Sequence, residues 1–194
     1  MKLLRVGAAL WLVTFVSVYA WVYGAANFVR LCDIAVILTC LAIMRGSALL
    51  LSSQAVSSLV VDITWDLDLV WRLALGRHLI GGTEYMWDPR YPLWVRLMSL
   101  FHVAWPPLLV LTLRRLGYDR RGFALQSAIA AVVLVASRFV LPGENLNFAF
   151  RDPFFHRAWG PAPVHLALTF AFLAGVVYWP THRALQRLLP AAHA

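Results

Sequence analysis

The chain has 194 residues, of which 61% are hydrophobic and 13% charged, and its formal charge is +8. A soluble domain of this size is about 45–50% apolar and about 25% charged, so this composition excludes an ordinary water-soluble domain and requires lipid. Among the 17 basic residues only Lys2 is not arginine, and most sit at the ends of apolar runs; that placement reads as membrane topology and headgroup contact and, without a long basic stretch interleaved with aromatics, argues against nucleic acid as a partner.

A membrane-crossing helix needs about 20 mostly apolar residues. Six such runs follow one another, which predicts an all-α, polytopic bundle of about six transmembrane helices in one domain over 1–194. The first span covers 6–24; its basic Met1–Arg5 lead imitates a signal peptide, but the run is too long for one and reads as a retained first helix. The second covers 27–44 and holds Cys32 and Cys40, which lie roughly 12 Å apart on one helix and cannot form a disulfide. The third covers 47–76 and turns mixed at Asp62, Asp66 and Asp68. The fourth covers 92–113, with Arg96, His102 and Pro106-Pro107 inside; the fifth covers 122–141; the sixth covers 163–180, closed by Pro180.

With the N-terminus in the cytoplasm, nine Arg/Lys fall on the inner segments and four on the outer loops (Arg77, Arg90, Arg151, Arg157). This is the direction of the positive-inside rule and predicts both termini in the cytoplasm. The two long outer loops, 76–89 and 143–153, mix Gly, Asn and acids with aromatics, as loops at headgroup depth do.

A charge at mid-bilayer costs about 2.5–3.5 kcal/mol, so polar groups inside spans carry the information. In Leu31-Cys32-Asp33-Ile34-Ala35 a thiol adjoins a carboxylate, with Arg30 two positions earlier. A cysteine acts as a nucleophile only as thiolate and needs a cation or base nearby; the same residues also read as a small core cysteine beside a carboxylate paired with Arg96 or Arg138. His102 serves either as a base or as an interhelical hydrogen-bonder. Asp62 and Asp66 share a helix face one turn apart and require a cation near them, with Arg72 and Arg96 as candidates. They also open a weaker reading as a metal site with His78, His102 and His165, although the spacing matches no known metal motif. Asn145 and Asn147 are amides able either to hold a carbonyl oxyanion or phosphate or to satisfy loop backbone. No GxSxG or Walker loop is present.

In order, these segments resemble the YwaF-like bacterial integral membrane family, which is related to an animal transmembrane acyltransferase that remodels ether phospholipids. The likeness rests on Leu31-Cys32-Asp33-Ile34-Ala35, on Leu97-Met98-Ser99-Leu100-Phe101-His102, on Gly143-Glu144-Asn145-Leu146-Asn147-Phe148 and on Trp159-Gly160-Pro161-Ala162-Pro163. It covers roughly 25–180. The resemblance implies that Cys32 accepts an acyl group, that His102 is its base, and that Asn145 or Asn147 holds the carbonyl oxygen. Where the family usually has a histidine two residues before the cysteine, Arg30 stands here; arginine stabilises a thiolate or grips a phosphate but does not shuttle a proton at neutral pH.

The expectation is an intramembrane enzyme acting on phospholipid acyl esters by thiol-dependent transfer or hydrolysis, in the bacterial inner membrane and without a cofactor. Cys32, His102 and Asn147 would be its catalytic residues, and Arg30, Asp33, Arg96 and Asn145 would bind substrate. The alternatives are a metal-dependent intramembrane hydrolase and a non-catalytic lipid-binding, carrier or assembly protein.

Overall fold

A computed structural model describes residues 2–192. Helix α1 covers Lys2–Val22. A 3₁₀ turn over Ala25–Val29 leads to α2, Leu31–Arg45, and Gly46 reverses the chain into α3, Ala48–Leu75. After a loop containing a 3₁₀ turn at Glu84–Trp87 come α4, Leu93–Met98, and α5, Phe101–Leu116. Helix α6, Gly122–Ser137, precedes the second long loop. The chain ends in α7, Ala162–Phe172, a wide π turn over Leu173–Tyr178, and α8, Trp179–Leu188. The described residues contain no strand, only an isolated bridge between Tyr118 and Ala191.

Four helical stretches are long and apolar enough to cross a membrane: Lys2–Val22, Ala48–Leu75, Leu93–Leu116 and Ala162–Leu188. Helices α2 and α6, with 15 and 16 residues, are apolar but shorter. At 1.5 Å per residue α2 reaches only roughly 22 Å.

Several boundaries differ from those the apolar runs predict. The second run begins at Asn27, but helix begins at Leu31, because Asn27 and Arg30 turn their side chains to one another and to Asp33. The fourth run is two helices. Ser99, Leu100 and His102 bond three residues back, to Arg96, Leu97 and Ser99, which tightens the chain into 3₁₀ geometry ahead of Pro106-Pro107. The fifth helix stops at Ser137, where Arg138 bends away to bond the Ala149 carbonyl. The sixth does not stop at Pro180 and continues to Leu188. The π turn before it re-registers the backbone, so the missing proline N–H breaks nothing.

Helix α3 is the centre, with α2, α5 and α6 all packed on it. Every residue from Leu51 to Ser58 is buried, and half of these are serine. Small side chains let helices approach closely where no hydrophobic effect between helices is on offer, and hydroxyls hydrogen-bond across the seam. A Cβ on Gly122 would lie 2.7 Å from Ser52 Cβ, so α6 rests directly on α3. Ser52 Oγ accepts from Asp119 N at 2.9 Å, and Gln126 Nε2 donates to Ser57 Oγ at 3.0 Å. A ladder of Phe15, Tyr19 and Phe101 joins α1 to α5, with ring centroids 4.1 and 5.7 Å from Phe15. The outer faces carry exposed Leu10, Val13, Leu73, Val132 and Phe139, an apolar exterior compatible with membrane integration.

Candidate functional site

Three groups of polar residues stand out: one at the start of α2, one between the middle of α3 and the α4–α5 break, and one in the loop after α6. The first surrounds the thiol. Arg30, Leu31, Cys32 and Asp33 form the cap and first turn of α2. Cys32 is half-buried and its Sγ makes a long contact of 3.9 Å to Asp33 Oδ1. Asp33 is 2% exposed, and its other oxygen accepts from Asn27 Nδ2. Arg30 Nε donates to Asn27 Oδ1 at 2.9 Å, while its Nη2 pairs with Glu144 Oε2 at 2.9 Å. Asp33 therefore sits in a chain of donors running from the loop end of the bundle to the thiol.

The second group lies at the middle of α3. Asp62 is 2% exposed; one oxygen is 4.0 Å from His102 Nε2 and the other has no partner. His102 is clamped between the Trp65 and Phe101 rings, at centroid distances of 4.5 and 4.1 Å. Its Nδ1 donates to the Ser99 carbonyl at 2.8 Å, which places the remaining lone pair on Nε2, toward Asp62. The Ser99 hydroxyl meets Tyr19 OH at 3.0 Å, tying α1 to the break. Helix α3, which carries Asp62, packs on α2, which carries Cys32, and on α5, which carries His102. Tyr85, from the loop, faces the same site, and burial pushes its hydroxyl above the usual tyrosine range.

The third group is the loop after α6. Asn147 Oδ1 accepts from Leu31 N at 2.9 Å, and Nδ2 donates to the Val29 carbonyl and to Ser137 Oγ, both at 2.8 Å. Both amide hydrogens bond protein groups, the backbone-satisfying one of the two roles the sequence offers, and Asn147 fastens the loop to the start of α2. Asn145 likewise bonds backbone. Its carbonyl accepts from Phe150 N and Arg151 N and its amide donates to the Arg151 carbonyl, so it shapes its own loop. Asn145, Asn147 and Phe148 all have positive φ, the tight geometry that asparagine tolerates best among residues with a Cβ.

Other expected pairings are absent. Arg96 does not meet Asp62 or Asp66; its Nη1 donates to the Met86 carbonyl at 2.6 Å. Arg72 lies over the Trp87 ring, 5.3 Å from its centroid. Asp66 is half-buried, and one of its carboxylate oxygens has no partner. The metal reading does not assemble. His78 belongs to a separate loop, and His165 Nε2 donates to the Phe148 carbonyl while its Nδ1 accepts from Trp159 N. No three His, Cys, Asp or Glu side chains converge among the described residues.

Sequence reasoning missed Asn27, Glu144, Ser99 and Tyr19, and it gave Asp68 no role. The Asp68 carboxylate collects the backbone N–H groups of Leu79, Ile80, Gly81 and Thr83, the Thr83 hydroxyl and His78 Nδ1. The Gly81-Gly82-Thr83 turn after a histidine was the available signal, since successive N–H groups in such a turn form a nest for an anion. Neither the apolar groove along Val60, Val110 and Leu188 nor that along Trp11, Trp94 and Phe101 is lined by Cys32, Asp62 or His102. No family model, curated protein or solved structure matches the chain.

Proposed function

We propose that the chain is a six-crossing integral membrane protein of the bacterial inner membrane with both termini in the cytoplasm, and that it transfers or hydrolyses phospholipid acyl groups through Cys32. The reading keeps the resemblance to the YwaF-like family as its motivation. The observation that carries it is the Cys32–Asp33 contact of 3.9 Å, with Asp33 held on its other side by Asn27. A nucleophile beside a base that a third group orients is the arrangement covalent catalysis needs.

Asp33 replaces His102 as the group that takes the thiol proton, because Asp33 is the thiol's bonded neighbour and His102 is turned to Ser99 and Asp62. Sγ attacks the ester carbonyl carbon as its proton moves to Asp33. The carbon–oxygen bond then breaks, and the lysophospholipid alkoxide leaves with that proton. A second alcohol, or water, attacks the thioester; the carbon–sulfur bond breaks, and the incoming proton passes through Asp33 back to sulfur. Arg30, with a side chain 39% exposed, is suited to exchange Glu144 for the lipid phosphate.

The test uses protein in vesicles whose phospholipid carries a labelled acyl chain. We expect a hydroxylamine-labile acyl group on Cys32 and none on Cys40, loss of lysophospholipid release in Cys32→Ala, and a fall of about 10²–10⁴-fold in Asp33→Asn. Unchanged release in Cys32→Ala would sink the proposal. The second reading, a non-catalytic lipid-binding or assembly protein, would then stand; it draws on Asn145, Asn147 and Arg96 being taken up by backbone groups of the protein itself.

A further inference from the structure

At the other end of α6 from the Asn147 loop, α3, α5 and α8 splay around a groove of 480 Å³, within the ~300–1,000 Å³ typical of ligand sites. Its walls include Val60, Val110, Ala184, Leu185 and Leu188, and Arg114 stands at its rim. Thr181 also lines it, but its hydroxyl is spent on the Val177 carbonyl at 2.7 Å. The groove is held open. Tyr118 N donates to Pro190 O at 2.7 Å, Ala192 N donates to Tyr118 O at 3.1 Å, and the Tyr118 hydroxyl meets His182 Nδ1 at 2.7 Å. This clasp fixes the end of α8 against the α5–α6 turn, so α8 cannot swing in to fill the space.

Charge decides the occupant. Arg114 is exposed and makes no ion pair with a carboxylate among the described residues. Arg115, Arg120, Arg183 and Arg187 stand near the same end, exposed. Between residues 89 and 143 the one acid is Asp119, and Arg121 holds it at 2.7 Å and keeps its carboxyl below the usual carboxylate range. After Asp152 the sequence has no acid at all. An apolar trough with a guanidinium at its mouth that pairs with no carboxylate among the described residues matches an amphiphile with an acyl chain and an anionic phosphate.

We infer that this groove binds one anionic phospholipid, its acyl chain along Val60, Val110, Ala184 and Leu188 and its phosphate on Arg114. The site is separate from Cys32 and does not depend on catalysis there. It rests on the proposed topology only in naming the leaflet as cytoplasmic.

The full-length protein in detergent is titrated with phosphatidylglycerol, with phosphatidylcholine of the same chains, with oleate and with inorganic phosphate, and bound ligand is counted by native mass spectrometry. We expect one phosphatidylglycerol bound roughly tenfold tighter than phosphatidylcholine. Arg114→Gln removes that preference. Arg121→Gln, at the same end but already paired, keeps it. Ala184→Trp, which fills the trough from an exposed position, abolishes binding of both lipids. Equal affinity for the two lipids in the wild type, which needs no variant, overturns the inference. So does oleate binding as tightly as phosphatidylglycerol, displacement of the lipid by millimolar inorganic phosphate, or an equal effect of Arg121→Gln and Arg114→Gln. A reporter placing the termini outside would move the site to the other leaflet without touching these outcomes.

Discussion

Six donors meet the Asp68 carboxylate, and the side chain is wholly buried from solvent. Hydrogen bonds to a charged group are worth about 1.5–3 kcal/mol each, and leaving donors unpaired costs more than a bond's mean value. Asn in place of Asp68 would turn an NH₂ toward N–H groups that need an acceptor. Asp68→Asn should therefore destabilise the protein by roughly 2–4 kcal/mol, read as a lowered thermal midpoint in detergent. Asp88→Asn, which breaks an exposed pair with Arg90, should leave the midpoint near that of wild type. Equal midpoints for the two variants would show that the nest anchors nothing. Cys32 and Asp33 were legible as a pair because they adjoin in sequence. Asn27, Glu144 and Ser99 were not, since each gains its meaning from a partner 6, 114 or 80 positions away.

Helix α3 shows why apolar periodicity located the elements yet misjudged their ends. A run such as 47–76 is apolar enough to be read as a span whatever its neighbours do, and its helix ends within a residue of that range, at Leu75. Helices whose ends are set by side-chain capture or by proline registration, α2, α6 and α8, departed from their runs by several residues. The serines of Leu51–Ser58 read as mildly polar in sequence; in the fold they are what lets Gly122 touch α3. Gly122→Ala places a methyl 2.7–2.8 Å from Ser52 and the Ser53 nitrogen and forces two backbones apart. The expected loss is about 1–3 kcal/mol. Gly7→Ala, in open space on α1, should be neutral or stabilising by up to ~1 kcal/mol. Thermal midpoints of the two variants measure the contrast, and a tolerated Gly122→Ala would deny the close α3–α6 seam.

For the whole molecule, the all-α class was legible from the long apolar runs, because a chain crossing hydrocarbon in runs of about 20 residues satisfies its backbone hydrogen bonds within each helix. The number of crossings rests on α2 and α6, which are shorter than the hydrocarbon core is thick, about 30 Å. Reporter fusions at Arg45, Gly117 and Leu188 should read cytoplasmic, and fusions at Gly82 and Arg157 should read external. An external signal at Gly117 would remove the six-crossing topology. The proposed site was half legible: its thiol and carboxylate adjoin, but His102 meets Asp62 and the Ser99 carbonyl, and the two asparagines bond backbone.

The Asn147 bridge has a consequence for traffic at the thiol. One amide joins three strangers: a backbone N–H at the start of α2, a carbonyl just before it, and a hydroxyl at the end of α6. Such a knot does not loosen thread by thread, since one planar amide holds all three partners and cannot turn from one without turning from the rest. Admission to Cys32 from the loop side would then be a matter of how often the whole knot slips, and a guest that cannot wait must come in sideways, between the helices.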